Sequence, residues 1–303
     1  MVNNVNQGRH GCSVITVCSG KGGAGKTTVV RTLIELFKKD YRIAVIDGAV
    51  GLAGISSIYG AYPTPGRGYE EFLRGMLTAS ELVYPVDGIK LIPSGFTAAI
   101  KDTVKGRDVT RIDELIDHLK MECDLIVIDA SSGIDPCLYQ YLINSNIILI
   151  VVTLDPQSVT DGYALAKSSL TMVPLPAVSY FLNMVMADDD YAGFNAKMHL
   201  LSGKFLNREM GAMGYLKFDA FFMKSPGPIE FRSMIGNENR NNLEEFRRRF
   251  KELLIPNSHD GLSSSGSPLP ILSRGELGGS LSGNDADGVC IKGFKLYQTG
   301  GEV

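Results

Sequence analysis

A chain of 303 residues, 44% hydrophobic and 21% charged, can bury one large core or two modest ones, so its bulk is globular. Its formal net charge of −3 carries no global basic excess, and composition gives no reason to expect broad nucleic-acid binding. The opening MVNNVNQGRHGCS has no apolar leader and no run approaches the roughly 18 apolar residues of a membrane span, which points to a cytoplasmic protein.

In chain order, residues 1–12 read as a flexible N-terminus and the apolar run Ser13 to Cys18 as a buried strand. The glycine-rich stretch after it fits G-x-x-x-x-G-K-[ST] at Gly20, Gly25, Lys26 and Thr27, and a helix is expected over Thr27 to Lys39. Strand, loop and helix together bring backbone N–H groups and a helix N-terminus to one point, an arrangement that holds the phosphates of a nucleoside triphosphate. Lys26 is then the group that neutralises the β and γ phosphates, and the Thr27 hydroxyl reaches Mg²⁺.

A second strand is expected from Arg42 to Asp47, a helix over Tyr69 to Gly75, a strand from Lys90 to Ser94 and a helix over Val109 to Met121. The run Asp124 to Asp129 ends on a carboxylate at the tip of a buried strand, where a Mg²⁺ ligand is needed beside such a loop. Gly133, in the ASSGI that follows, offers a hinge able to respond to a γ phosphate. Strands from Ile147 to Thr153, Ala177 to Asn183 and Met213 to Phe218 come next. Between the first two lies a helix from Ser158 to Leu170, opened by Ser158 and Asp161 in capping-box-like spacing. Such alternation predicts an α/β, three-layer P-loop NTPase fold with a mostly parallel twisted sheet and helices on both faces.

From Asn241, NNLEEFRRRFKELL places Leu243, Phe246, Phe250, Leu253 and Leu254 at helical spacing, with Arg247, Arg248, Arg249 and Lys251 elsewhere on the surface. That is an amphipathic basic helix over 241–254, closing a domain that spans 13–255. The Gly/Ser-rich 256–303 reads as a mostly disordered tail, with room for one brief strand between Ile291 and Tyr297. Cys12, Cys18, Cys123, Cys137 and Cys290 form no CxxC pair and suit buried thiols better than metal ligands.

Lys21, five residues before Lys26 in KGGAGKTT, makes the loop resemble the deviant Walker A motif of the MinD/ParA family. The likeness covers about residues 13–255. Gly68 to Gly95 resembles the MinD-type segment between the second and third strands, and DLIVIDASSGI resembles switch II. Val151 to Lys167, Phe181 to Val185 and Leu216 to Asp219 are similar to the flagellar-number branch, FlhG/FleN. The resemblance implies ATP and Mg²⁺, with Gly20, Lys21, Gly22, Gly23, Ala24, Gly25, Lys26, Thr27 and Thr28 around the nucleotide, Thr27 and Asp129 on the metal, Asn183 on the adenine edge and Asp219 nearby. It also implies that ATP joins two copies into a homodimer in which Lys21 of each reaches the other's phosphates. It further implies that a protein partner is recruited to control the position or number of flagella or of a division site. In such proteins a C-terminal amphipathic helix touches the inner face of the membrane, a role that Leu243, Phe246, Phe250, Leu253 and Leu254 would fill. An ordinary α/β domain also ends on a helix packed against its sheet, so both placements stay open.

The resemblance breaks after the second strand. Against D-x-D-x-G-L-x-N the chain reads Asp47 to Gly54 as DGAVGLAG: Asp47, Gly51 and Leu52 match, while Ala49 stands for the second carboxylate and Gly54 for the Asn. Alanine neither accepts a proton nor holds a water. With Lys21, Lys26 and Asp47 as the remaining catalytic candidates, ATP binding with slow or absent hydrolysis is expected, unless Asp47 or a carboxylate such as Asp135 compensates. No Asp-Gln-Ala motif, by which the flagellar branch activates a GTPase partner, occurs in residues 1–12. Two alternatives remain: a ParA-like DNA segregation ATPase using Arg240 and Arg247 to Arg249, and a pseudo-ATPase scaffold in which ATP only locks the dimer. A metallocluster carrier would need paired cysteines that the chain lacks.

Overall fold

Among the described residues, eight short apolar runs form the strands of one sheet: β1 (Ser13–Ser19), β2 (Ile43–Gly48), β3 (Tyr84–Val86), β4 (Ile89–Ile92), β5 (Leu125–Ser132), β6 (Ile147–Val152), β7 (Ala177–Val185) and β8 (Ala212–Lys217). The computed structural model describes residues 11–48, 54–64, 66–94, 109–172, 176–208, 210–219 and 237–254, together with two short strands at 290–291 and 294–295. The sheet order is β3-β4-β2-β5-β1-β6-β7-β8, and every pairing is parallel except that of β3 with β4. The α/β three-layer expectation therefore holds. The helices are α1 (Lys26–Phe37), α2 (Ile55–Ile58), α3 (Tyr69–Leu73), α4 (Arg111–Lys120), α5 (Pro136–Ile143), α6 (Pro156–Ser169), α7 (Asp188–Leu206) and α8 (Asn237–Lys251).

Strand residues alternate between two apolar layers, as a pleat of period two requires. Ile147, Leu149 and Val151 of β6 face a cluster with α1 and α8, whereas Ile148, Ile150 and Val152 face a cluster with α3 to α7. The same parity holds on β2 and β5, where Val45 and Val127 lie on the α1 side and Ile46 and Ile128 on the other. Asp47 and Asp129, one step further along, return to the α1 side. They are also direct register partners across the β2–β5 pair. The loop between β1 and α1 thus opens beside two carboxylates on its own face of the sheet.

Several local expectations change. The helix expected from Ser158 begins at Pro156, with Asp155 as the N-cap accepting from the Gln157 N–H at 3.1 Å, while the Ser158 hydroxyl accepts from the Thr153 N–H at 3.0 Å. An Asp-Pro pair at N-cap and N1 is the stronger start signal. α5 and α7 have no counterpart among the expected elements; α7 buries only Phe194, Met198 and Ser202, too thin an apolar stripe to stand out in sequence.

The C-terminal helix takes the second of the two placements its sequence left open, that of a last helix packed on the sheet. Leu243, Phe246, Phe250 and Leu254 of the α8 segment are buried in the α1-side core and Leu253 packs against it, so the apolar face offered to a membrane by resemblance covers the sheet instead. The Phe246 ring meets Phe181 of β7 edge-on at 5.0 Å, and Phe250 lies 5.5 Å from Phe37 of α1. Among the described residues no helix is long and apolar enough to cross a membrane.

By its internal contacts the chain divides into two units, Met1–Ser258 and His259–Val303. In the second, Cys290–Ile291 and Phe294–Lys295 pair antiparallel as β9 and β10, where one brief strand was expected. The flexible N-terminus expected over 1–12 and the disordered tail expected over 256–303 otherwise lie almost wholly outside the described residues. Cys12, Cys18, Cys123 and Cys137 are buried free thiols, as their spacing suggests.

Candidate functional site

The loop from Gly20 to Gly25 joins the end of β1 to the start of α1, and Gly25 holds the N-cap position with φ 88. A side chain there would be strained by that φ, and its Cβ would fall 2.0 Å from Asn183 Nδ2. The close approach lets Asn183, buried at the end of β7, donate from Nδ2 to the Ala24 carbonyl at 2.9 Å. In this structure its amide therefore braces the loop. Met184, next in β7, has φ 59 in a strand whose register shifts between Leu182 and Val185, a kink at the strand end nearest the loop. Asp219 lies two residues beyond β8, just after Phe218, whose N–H bonds the Val185 carbonyl at 2.8 Å and so holds this segment beside the same strand end.

Lys26 opens α1 and donates from Nζ to the Ser19 hydroxyl at 3.0 Å, which in turn donates to the Lys21 carbonyl at 2.8 Å. Burial lowers its pKa, and the nearby Asp129 charge opposes that shift. Thr27 donates from Oγ1 to Asp129 Oδ2 at 2.8 Å. Lys21 faces outward, and its ammonium is paired with Asp155, the N-cap of α6. Its side chain is 47% exposed and that of Asp155 38%, so water screens the pair and it holds the lysine only loosely.

Beside the loop, Asp47 and Asp129 are both buried. Burial first, then the Asp47 charge, push the Asp129 carboxyl up to about 7, against the hydrogen bond from Thr27 and the charge of Lys26. Asp47 accepts at Oδ2 from the backbone N–H of Ser56 at 2.9 Å and from its hydroxyl at 2.5 Å. The inner wall is Gly54. A Cβ built on it would stand 3.3 Å from Asp129 Oδ2, 3.4 Å from Thr27 Oγ1 and 3.7 Å from Asp47 Oδ1. Three hard oxygens thus converge on one point kept open by a residue without a side chain. Two carboxylates and a hydroxyl are hard oxygen donors of the kind that would suit a magnesium ion.

Gly133 follows β5 and donates its N–H to the Ser19 carbonyl at 3.2 Å, which ties the expected hinge to the base of the loop. Asp135 is the N-cap of α5, accepting from the Leu138 N–H at 2.7 Å and from the Ser131 hydroxyl. It is committed to capping. Ala49, Gly51 and Leu52 lie outside the described residues. The structure brings together Lys26, Thr27, Asp47 and Asp129, with Asn183 behind the loop; the helix residues Leu243 to Leu254 belong to the core instead. Ser19, Ser56 and Asp155 are partners that sequence reasoning missed. Only Asp155, in the Asp-Pro pair, carried a local signal.

Residues 15–128 match the family described as the CobQ/CobB/MinD/ParA nucleotide binding domain. The chain is 31% identical over 157 residues to the flagellum site-determining protein YlxH of Helicobacter pylori, covering 50% of this chain and 52% of that protein. It is 24% identical over 218 residues to the antiactivator FleN of Pseudomonas aeruginosa, covering 71% and 77%. To the septum site-determining protein MinD of Thermotoga maritima it is 28% identical over 155 residues, covering 50% and 55%. The matched region spans about half the length of YlxH and of this MinD. Among solved structures, MinD complexed with Mg-ADP from Pyrococcus horikoshii aligns with a TM-score of 0.61 at 16% identity, over 80% of this chain and 97% of that one. An ATP complex of a Cyanothece McdA variant aligns with a TM-score of 0.64 at 16% identity, over 82% and 97%. At such identities these two speak for the fold.

Proposed function

We propose, on the premise that the chain belongs to the MinD/ParA family of nucleotide-binding ATPases with FlhG-like relatives, that it binds ATP with Mg²⁺, dimerises on doing so, and turns ATP over slowly or not at all. In that state it recruits a protein partner and so regulates the position or number of a cellular structure, flagella or a division site. The observation that carries this reading is the convergence of Thr27 Oγ1, Asp47 Oδ1 and Asp129 Oδ2 on the space before Gly54, beside a loop braced to receive phosphates.

The roles of this chain's own groups follow. The backbone N–H groups of residues 20–25 and the first turn of α1 bind phosphate oxygens, and Lys26, already facing the loop, balances their charge. Thr27, Asp47 and Asp129 hold Mg²⁺, which when bound supplies Lewis-acid charge at the phosphates. Lys21 must leave Asp155 to serve a second copy, and the exposure of that pair makes the exchange easy. Ala49 offers no group to orient a water, and Asp135 is engaged in its cap. A DNA-binding role finds little support in the formal net charge of −3, and the arginines of α8 have acidic neighbours that reduce the local positive charge, Asp40 beside Arg247 and Glu245 beside Arg248 and Arg249.

The test is oligomeric state by light scattering without nucleotide, with ADP and with ATP. The parent should dimerise in ATP alone and Lys21→Ala should stay monomeric; an ATP-indifferent parent, or a Lys21→Ala that dimerises equally, would refute the dimer. Single-turnover hydrolysis of the parent beside Ala49→Asp tests the slow step, since equal rates remove the role given to that position.

A further inference from the structure

Asp47 is held from behind. Its Oδ2 accepts two hydrogen bonds from one residue, the Ser56 N–H at 2.9 Å and the Ser56 hydroxyl at 2.5 Å, while Oδ1 faces the point where Thr27 Oγ1 and Asp129 Oδ2 converge. The Ser56 hydroxyl is fixed in turn, accepting from the Ser94 N–H at 3.2 Å. Ser94 lies two residues past β4, next to β2 in the sheet, so the chain of bonds runs from β4 through α2 to the tip of β2. Asp47, Ser56 and Ser94 are all buried. Water is therefore no substitute for any of these bonds, and a carboxylate that lost one of them would be held less firmly in the orientation that presents Oδ1.

We propose that Ser56 is the positioning residue of the cation site: by occupying Oδ2 of Asp47 with two donors it commits Oδ1 to Mg²⁺. The proposal rests on the magnesium site given above and adds the group that aims one of its ligands. Ser56 itself touches neither the cation nor a phosphate. Its effect is confined to the metal-dependent part of nucleotide binding, because the loop and Lys26 are held by other contacts, through Ser19 and Asn183.

The experiment is a Mg²⁺ titration of the binding of a fluorescent ATP analogue to the full chain, with an EDTA arm, for the parent and for Ser56→Ala, Ser56→Cys and Ser56→Thr. Losing a partner that orients a metal-ligating carboxylate typically costs about 10-fold or more in metal affinity. The half-saturating Mg²⁺ concentration should therefore rise about 10-fold in Ser56→Ala and Ser56→Cys, the latter keeping nearly the parent's volume should the smaller residue fail to fold. Binding in EDTA should remain within about twofold of the parent, and Ser56→Thr, which keeps the hydroxyl, should return close to it. The inference is overturned if Ser56→Cys keeps the parent's Mg²⁺ response, if binding in EDTA falls by the same factor, or if Ser56→Thr is as impaired as Ser56→Cys. A parent whose analogue binding ignores Mg²⁺ would instead remove the cation site, and this inference with it.

Discussion

Phe246→Ala is the sharpest test of where the last helix belongs. Phe246 is 0% exposed, and its ring lies 5.0 Å from that of Phe181 and 5.2 Å from that of Phe250. Beneath it is Gly214 of β8, whose added Cβ would come within 2.8 Å of the ring, so the strand has been left bare to receive this side chain. Truncating a buried Phe costs about 3–5 kcal/mol, depending on how far the site can collapse. Collapse is poor here: the floor is a backbone without a side chain and the walls are rigid rings. A loss of about 4 kcal/mol follows, a large share of the roughly 5–15 kcal/mol that holds a typical domain. With a urea m-value of about 3 kcal/mol/M, the unfolding midpoint should drop by about 1.3 M. Circular dichroism would read the midpoint, with Arg248→Ala on the open side of the helix as a control that leaves it in place. A Phe246→Ala midpoint within about 0.3 M of the parent, beside a loss of liposome pelleting, would return this face to the membrane.

Three further outcomes follow. Asp129 holds its proton up to about 7 in the fold but titrates near the usual carboxylate value of about 4 when unfolded, so its contribution to stability is complete below about pH 4, falls as pH rises and is gone above about 7. Melting temperature in EDTA should therefore decline more steeply between about pH 4.5 and 7.5 for the parent than for Asp129→Asn, and Mg²⁺ should stabilise the parent more at about pH 8 than at about pH 6; parallel EDTA curves would contradict this. Asp155→Asn releases Lys21 from its own chain, so light scattering should find the dimer at lower ATP concentration with thermal stability unchanged, and an unmoved or higher threshold counts against the pairing. Asn183→Ala removes the brace on Ala24, a bond worth about 1 kcal/mol, so fluorescent ATP and GTP analogues should lose affinity by similar factors of about five. A loss confined to ATP would instead assign Asn183 to the base.

What the sequence disclosed was what depends on near neighbours. The spacing from Gly20 to Thr27 is a local signal, and the parity of an apolar run is enough to place Asp47 and Asp129 on the α1 face once their strands are recognised. The amphipathic pattern of 241–254 was legible too, but a greasy stripe does not say whether sheet or lipid will cover it; Gly214, far upstream in sequence, settles that by leaving room for Phe246. Lys21 and Asp155 are 134 positions apart, and Asn183 and Ala24 are 159 apart. No local pattern joins such pairs. α7 stayed hidden because Gly193 and Gly203 interrupt its helical character and few of its residues face inward, although three aspartates at its start were a usable sign.

Among the described residues β3 closes one side of the sheet with only three residues, and the middle one is Pro85. Tyr84 and Val86 pair with Leu91 and Ile89 of β4, so the residue between them turns its backbone outward, and proline has no N–H to offer there. A free strand from another molecule would meet a short rim without a donor at its centre. This rim is thereby guarded against the edge-to-edge stacking that turns open sheets into aggregates.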